Sequence, residues 1–410
     1  MKIVIIGASA AGISAAKTLK ALDPNAEVVI ISKDDTIHSR CMLHKYLGHE
    51  RDAQGISFVP QDFCETNTIT WMKNTRVIGV DPQKKILKTQ DRQEITYDKL
   101  LITTGAAYFI PPIPGMREAH NVFGFRDLSD AKLIDNASKN SKNVIVVGAG
   151  LVGMDAAFAL LELGLNVTVI EMADTALGLQ LDPKAAGEYQ KLFEGAGAKF
   201  LLSEKVDSVE LDNHQNATSV HLASGKIVLS DFIIVAAGVR PSYDFLEGSG
   251  INTNRGITVG DDMRTNIEDV YAAGDVLGIS GIWPNAMNQG KIAATNMLGG
   301  NALYEDRYAL KNTASFYGLT TLSLGNINPV DGENCHIIIR EDKNNYQKIV
   351  SSDSEILGVI FQGDIGNTGF WQYLIKNKID ISGIDKPIFD LSYADFYGVD
   401  QDNGEYCYTL

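Results

Sequence analysis

Short apolar runs closed by glycine-rich turns open the chain and recur along it. Lys2-Ile3-Val4-Ile5-Ile6 leads into Gly7-Ala8-Ser9-Ala10-Ala11-Gly12, and Asn143-Val144-Ile145-Val146-Val147 leads into Gly148-Ala149-Gly150-Leu151-Val152-Gly153. A β-branched run bounded by glycine predicts a buried strand, and the small and apolar residues beyond each turn predict helices over 13–22 and 154–163. A second apolar run follows each helix, at 28–31 and 167–170. The pattern predicts two βαβ units, hence two nucleotide-binding domains.

Between and after these units the period changes. Alternation over 76–81, 85–88 and 94–97 predicts a small antiparallel meander, and 206–211, 219–222 and 227–229 predict a second. Each meander feeds a buried strand ending in glycine, at 99–105 and 232–238. Pro111-Pro112-Ile113-Pro114-Gly115 marks a linker. Beyond Tyr308, strands over 335–340, 347–351 and 356–362 and a helix over 371–376 predict a separate domain. The expected fold class is α/β, with two Rossmann-like dinucleotide-binding domains, antiparallel meanders and a C-terminal α+β domain. The expected boundaries are 1–110 with 231–310 for the first domain, 111–230 for the second and 311–410 for the third.

Composition narrows the function. A chain of 410 residues is too long for one core. The net charge of −15 argues against nucleic acid or an anionic membrane as partner, and leaves room for an acidic redox protein on a local basic patch. Cys41, Cys64, Cys335 and Cys407 are far apart, without CxxC or metal-ligand spacing, which suits a reducing cytoplasm. The apolar start runs straight into Gly7 and reads as a strand rather than a targeting segment. The stretch 144–165 is interrupted by four glycines, Asp155 and Glu162, so it is no membrane span. No His, Cys, Asp and Glu grouping in the sequence has the spacing of a metal site.

In each glycine turn the first glycine permits the bend, the second admits a pyrophosphate to the backbone, and the third packs helix on strand. The anion then sits on unpaired N–H groups at the helix start. After the second turn Glu171 ends the following strand, placed to bond the adenosine ribose, and Met172-Ala173-Asp174 offers no cation for a 2′-phosphate. NADH is therefore expected there in preference to NADPH, on Gly148, Gly150, Leu151, Val152, Gly153 and Glu171, with Gly238 nearby. In the first turn Ser9 replaces the middle glycine and the next strand ends in Ser32-Lys33-Asp34. Ser32 stands where a ribose-binding carboxylate is expected; Asp34 is the substitute, and a solvated turn the alternative.

These residues resemble the pyridine nucleotide–disulfide oxidoreductase superfamily over nearly the whole chain. Tyr97-Asp98-Lys99-Leu100-Leu101-Ile102-Thr103-Thr104-Gly105 is similar to its first return strand, and 231–239 followed by Arg240-Pro241 to its second. Val270-Tyr271-Ala272-Ala273-Gly274-Asp275 resembles its second FAD signature, whose aspartate binds the ribityl chain. The resemblance implies FAD at Gly7, Ser9, Ala10, Ala11, Gly12, Ser32, Lys33, Asp34, Arg40, Val77, Thr104, Gly105, Asp275 and Asn288. It also implies that the helix following Trp283 points its N-terminus at the flavin pyrimidine. The stretches 346–350 and 356–364 are similar to the NADH:rubredoxin reductase and nitrite reductase flavoprotein branch.

His38-Ser39-Arg40-Cys41-Met42-Leu43-His44-Lys45-Tyr46-Leu47-Gly48 separates the branches of that superfamily. A dithiol cycle needs a second cysteine where Tyr46 stands, which excludes a glutathione-reductase-like mechanism. One reading matches Arg40, Leu43 and Lys45 to ferredoxin- and rubredoxin-reductase-like enzymes, with Lys45 near flavin N5 and Asp155 as its acidic partner. The other matches Cys41, Tyr46, Leu47 and Gly48 to the single-cysteine branch of NADH oxidases, peroxidases and coenzyme A disulfide reductases. It expects Cys41 to be a thiol of depressed pKa at a helix start. Both stay open at this point. Met42 replaces that branch's glycine, and His44 reads as an ordinary helix histidine rather than a proton donor.

The expected reaction is hydride transfer from NADH to FAD, then electron transfer to a rubredoxin- or ferredoxin-like protein or a larger redox complex. The alternatives are a Cys41-dependent reductase and a FAD-bearing accessory subunit, for which the C-terminal aromatics Tyr393, Phe396 and Tyr397 are candidate docking or dimer residues.

Overall fold

The computed structural model describes residues 1–305, 311–329, 334–399, 402 and 404–408. Strand β1 (Lys2–Ile6) rises into the turn that starts α1 (Ala10–Leu22), and β2 (Glu27–Ile31) pairs parallel with it from Lys2 opposite Glu27 to Ile6 opposite Ile31. Short helices α2 (Leu43–Leu47) and α3 (Phe63–Thr66) precede β3 (Ile69–Met72), which adds beyond β2. Strands β4 (Val77–Asp81), β5 (Ile86–Thr89) and β6 (Glu94–Thr96) form the first meander, and β7 (Lys99–Ile102) returns to the other side of β1. Ile3, Val4, Ile5, Leu100 and Leu101 are fully buried, as strands covered on both faces must be. Each such side chain stabilises the fold by about 2 kcal/mol.

The plan then repeats. Strands β8 (Ala106–Tyr108) and β9 (Val122–Gly124) and helix α4 (Leu128–Ser138) lead to β10 (Asn143–Val147), α5 (Leu151–Glu162) and β11 (Asn166–Ile170). After α6 (Pro183–Gly195) come β12 (Lys199–Leu201), the second meander of β13 (Val206–Leu211), β14 (Ala217–Leu222) and β15 (Ile227–Leu229), and β16 (Phe232–Val235). Strand β17 (Val239–Pro241) pairs antiparallel with β8, and β18 (Val270–Ala272) joins β7 before α7 (Trp283–Met297). The two parallel sheets run β18-β7-β1-β2-β3 and β12-β11-β10-β16-β9. In both, the glycine turn leaves the central strand, where the chain winds outward to either side and ligands bind in open α/β sheets.

The last part is an antiparallel sheet of β19 (Lys311–Phe316), β20 (Leu319–Gly325), β21 (His336–Glu341), β22 (Tyr346–Ser351) and β23 (Ile356–Gln362), in the order β19-β20-β23-β22-β21. Helix α8 (Thr368–Asn377) buries Phe370, Trp371 and Leu374 in one cluster with Ile349, Val359 and Phe361.

Four expectations need correction. Strand β16, assigned to the first domain, bonds β10 and belongs to the second sheet; the chain re-enters the first sheet at β18. The segment Ala173–Ala196, assigned to the second domain, forms one compact unit with the C-terminal part. There the Tyr189 hydroxyl donates to Ala314 O at 2.9 Å and Gln362 Nε2 to Ala185 O at 2.9 Å, which anchors α6 to the C-terminal sheet. Both glycine-turn helices begin three residues earlier than expected, because the third glycine lies inside the first helical turn. Phe396, a candidate docking or dimer residue, is instead buried against Phe370, whereas Tyr393 and Tyr397 are exposed.

Candidate functional site

The first turn is fixed by contacts that exclude larger residues. A Cβ on Gly7, whose φ is +113°, would stand 2.3 Å from Thr103 O, and one on Gly12 would stand 2.0 Å from Gly7 O. Thr103 Oγ1 donates to Ile6 O at 2.8 Å and locks β7 to the turn. Helix α7 crosses α1 so closely that a Cβ on Gly290 would meet Ala11 O at 2.2 Å. Gln289 Oε1 accepts from Gly274 N at 2.8 Å, which sets the peptide before Asp275.

A cavity of about 1070 Å³ opens over this turn. Of the expected FAD residues it is lined by Gly7, Ser9, Ser32, Lys33, Asp34, Arg40, Val77, Thr104 and Asp275. Ala10, Ala11, Gly12, Gly105 and Asn288 do not line it. Ala10, Ala11 and Gly12 are buried in the first turn of α1, Asn288 is half-buried on α7, and a Cβ on Gly105 would lie 3.3 Å from Arg40 Nη1. The Ser32 hydroxyl is already engaged, donating to Asp34 O at 2.8 Å and accepting from Trp71 Nε1 at 2.9 Å, so it serves the fold first.

The wall of the cavity carries a charge network with no local sequence signal. Asp127 accepts from Lys33 Nζ and pairs with Arg40 Nη2 at 3.0 Å, and Arg126 pairs with Asp275. Burial opposes ionisation of Asp127, but Arg40 and Lys33 outweigh it and hold its carboxyl below the usual range. Burial, then the Asp127 charge, push Asp34 up, and burial lowers His38. Asp34, His38 and Asp127 bring ligand atoms within 4.8 Å of one another, a grouping the sequence did not suggest. With two cations already bound to Asp127, this cluster is poorly suited to a metal ion. Arg126, Asp127, His38 and the cavity-lining Arg240 and Arg255 were all missed by sequence reasoning. The one available signal was Asp127 with Asp130, a capping box at the start of α4.

The second turn has the same frame. A Cβ on Gly148 would meet Ala236 O at 2.6 Å, and one on Gly153 would meet Gly148 O at 1.9 Å. Gly150 differs, with nothing within 4 Å of its Cβ position and an ordinary extended backbone. The protein alone gives no reason for glycine there, whereas a pyrophosphate drawn against the backbone does. Glu171 Oε2 accepts from Ala149 N at 2.7 Å, so its carboxylate is anchored on the turn it was expected to serve. Leu151 and Val152 open α5, and Gly238 takes a φ of +98° with open space around it. The residues present thus fit two dinucleotides: an open cavity over the first turn and, at the second, open space over Gly150 where a pyrophosphate would approach the backbone.

The segment between the turns departs from both sequence readings. Lys45 Nζ pairs with Glu50, at 2.7 and 2.8 Å from its two oxygens, and not with Asp155. Asp155 instead faces His44, with Nδ1 and Oδ1 3.6 Å apart. Burial lifts the Asp155 carboxyl to about 7, with Lys45 pulling the other way, and burial followed by the Lys45 charge lowers His44 to about 4. Cys41 is exposed on one side, yet the protein on its other sides and the Asp155 charge raise its thiol. The single-cysteine reading expects a depressed thiol; the helix α2 that follows is one turn long, too short to supply a useful dipole. Cys64 and Cys335 are half-buried free thiols, and the Cys407 side chain lies outside the described residues.

The family model described as pyridine nucleotide-disulphide oxidoreductase matches residues 1–290. The chain belongs to that family. It is an FAD-dependent NAD(P)H oxidoreductase. It is 30% identical over 391 residues to the nitrite reductase [NAD(P)H] of Bacillus subtilis, covering 94% of this chain and 48% of that protein. Against the NADH-dependent phenylglyoxylate dehydrogenase subunit epsilon of Aromatoleum evansii it is 28% identical, over 93% of each chain. The chain therefore spans about half the length of the nitrite reductase and nearly all of the subunit. The NADH:rubredoxin oxidoreductase structure from Clostridium acetobutylicum superposes with a TM-score of 0.75 at 23% identity, over 94% of this chain and 97% of that one, a likeness of fold. Among the described residues no helix of this family member is long and apolar enough to cross a membrane.

Proposed function

We propose that the first turn holds FAD, the second holds NADH, and the enzyme passes the electrons on to a protein acceptor, a small iron–sulfur or iron protein or a larger redox complex. The observation that carries this reading is the pair of glycine turns at the switch points of two parallel sheets within one compact unit, one of them opening into the large cavity. When bound, FAD supplies the chemistry, accepting a hydride and releasing electrons singly or in pairs. The chain binds and orients. Gly7 and Ser9 with the start of α1 receive the pyrophosphate, and Asp275 accepts from a ribityl hydroxyl. Gly148, Gly150 and Gly153 receive the second pyrophosphate, and Glu171 holds the adenosine ribose, which disfavours a 2′-phosphate.

The raised thiol of Cys41 weighs against the single-cysteine route, which needs thiolate. One comparison supports a second reading, in which the chain is the flavin subunit of a larger assembly: it matches a protein named as a subunit along nearly its full length. The purified chain, assayed with NADH against a viologen dye, rubredoxin, ferredoxin, oxygen and coenzyme A disulfide, tests both. Brisk dye and iron-protein reduction supports a free-standing reductase. Turnover only with oxygen or the disulfide, abolished in Cys41→Ser, contradicts the proposal.

A further inference from the structure

Three consecutive residues at the start of α4 each reach a different element around the first cavity. Arg126 pairs with Asp275 and donates to Ala106 O, Asp127 holds Lys33 and Arg40, and Leu128 N donates to His38 Nε2 at 3.3 Å. Lys33 and Arg40 line the cavity, so this segment governs where two of its cations stand. His38 lines it too, with only 5% of its surface exposed.

The two partners of the His38 ring leave no choice of tautomer. Leu128 N–H only donates, so Nε2 carries a lone pair. Thr36 O, 3.3 Å from Nδ1, only accepts, so Nδ1 carries the proton. The ring is therefore neutral, and a second proton would set two N–H donors against each other. We propose that His38 is a positioning residue for FAD: as a neutral imidazole it latches Leu128 and so keeps Asp127 on Lys33 and Arg40, and a second proton on the ring opens that latch and releases the cofactor.

The charged groups facing the ring supply its other position. Asp34, just beyond β2, and Asp127, at the start of α4, bring carboxylate oxygens within 4.8 Å of a ring nitrogen and of each other. A charged ring leaves Leu128 for these carboxylates, where it competes with Lys33 and Arg40 for Asp127. Asp130 is taken by the N–H groups of Arg126 and Asp127. Burial is the largest influence on the ring and favours its neutral form below the ordinary 6.5; the Asp34 and Asp127 charges pull the other way, and Arg40 supports the neutral form. The latch is thus closed at neutral pH and opens on acidification. Its balance is one proton: charged apoprotein plus FAD gives the loaded neutral form plus H+. This rests on the reading above, that FAD occupies this cavity.

The test strips the full chain of flavin and titrates it with FAD from about pH 5 to 8, over the range in which its circular dichroism is constant. Wild type, His38→Gln, Asp34→Asn and Asp275→Asn are compared. Because binding expels one proton from a charged ring, the wild-type Kd should rise by about tenfold per pH unit on the acid side and stay flat on the alkaline side. Glutamine offers a carbonyl oxygen where Nε2 stood and does not titrate, so His38→Gln should lose the acid slope. Asp34→Asn should keep it. A flat wild-type curve, a His38→Gln slope equal to that of wild type, or a slope lost in Asp34→Asn overturns the proposal. Should His38→Gln fail to fold, the histidine 15N spectrum of the wild-type apoprotein replaces it. One of the seven histidines must show a protonated Nδ1 and a bare Nε2 that gains its proton where the slope begins, and no such ring overturns the proposal. An FAD affinity untouched by Asp275→Asn defeats the cavity reading and the latch with it. An affinity that depends on Asp275 while its pH slope ignores His38 defeats the latch alone.

Discussion

The Arg126 guanidinium pairs with the Asp275 carboxylate across 149 residues of sequence, tying the strand-to-helix turn before α4 to the aspartate proposed to hold the ribityl chain. Arg126 also donates from Nε to Ala106 O at 3.1 Å, and both side chains of the pair are mostly buried. Arg126→Met should therefore lower stability by about 2 kcal/mol, since it strands a shielded carboxylate. It should also weaken FAD binding. Adding Asp275→Asn should recover part of the stability loss in urea unfolding. Simple additivity of the two losses would show that the pair is not coupled.

Asp155 and His44 make opposite contributions to the pH dependence of stability. The folded pKa of Asp155 is raised to about 7, so its contribution is full at low pH and is lost as pH rises toward neutrality. The folded pKa of His44 is lowered to about 4, so its neutral form in the fold gains stability as pH rises from there to its ordinary value of 6.5. In wild type the two slopes largely cancel over that window. Asp155→Asn should leave stability rising with pH, and His44→Gln should leave it falling. The expected amplitude is on the order of 1–2 kcal/mol, allowing for the water that reaches both groups. Urea midpoints against pH measure it, and parallel curves for both variants would contradict it.

The glycines of the second turn should divide by role. Gly150→Ala meets open space, so thermal stability should stay within about 0.5 kcal/mol while NADH affinity falls about tenfold. Gly153→Ala drives a Cβ to 1.9 Å from Gly148 O, so it should destabilise the fold itself. Differential scanning calorimetry and NADH titration separate the two effects.

Glu171→Gln keeps the size of the side chain and removes the charge that anchors it to Ala149 N. The KM for NADH should rise about tenfold with kcat little changed, and the preference over NADPH should narrow. An unchanged ratio of kcat/KM for the two nucleotides would remove Glu171 from the ribose site.

Legibility in the sequence followed locality. Strands β1 and β10 and their turns were readable because five consecutive residues and the glycines beside them carry the pattern. Three-residue strands such as β8, β9, β12 and β18 are too short to display a period. Helix α6 has its signals, Asp182 as cap and Pro183 at its start, but its allegiance to the C-terminal sheet depends on where Tyr189 and Phe193 find partners. In the site, residues inside motifs were legible, whereas Arg126, Asp127 and His38 act through partners far along the chain. Lys45 illustrates the converse, because family likeness expected Asp155 and the nearby Glu50 took it.

The most direct test of the central claim is an anaerobic NADH titration of the FAD-loaded protein, followed by its absorption spectrum. With Cys41 held as a thiol, one NADH per flavin should bleach the flavin fully, with no long-wavelength thiolate band, and Cys41→Ser should titrate identically. A second NADH per flavin consumed, with a lasting thiolate-to-flavin band that Cys41→Ser abolishes, would contradict the account and place the cysteine in the electron path.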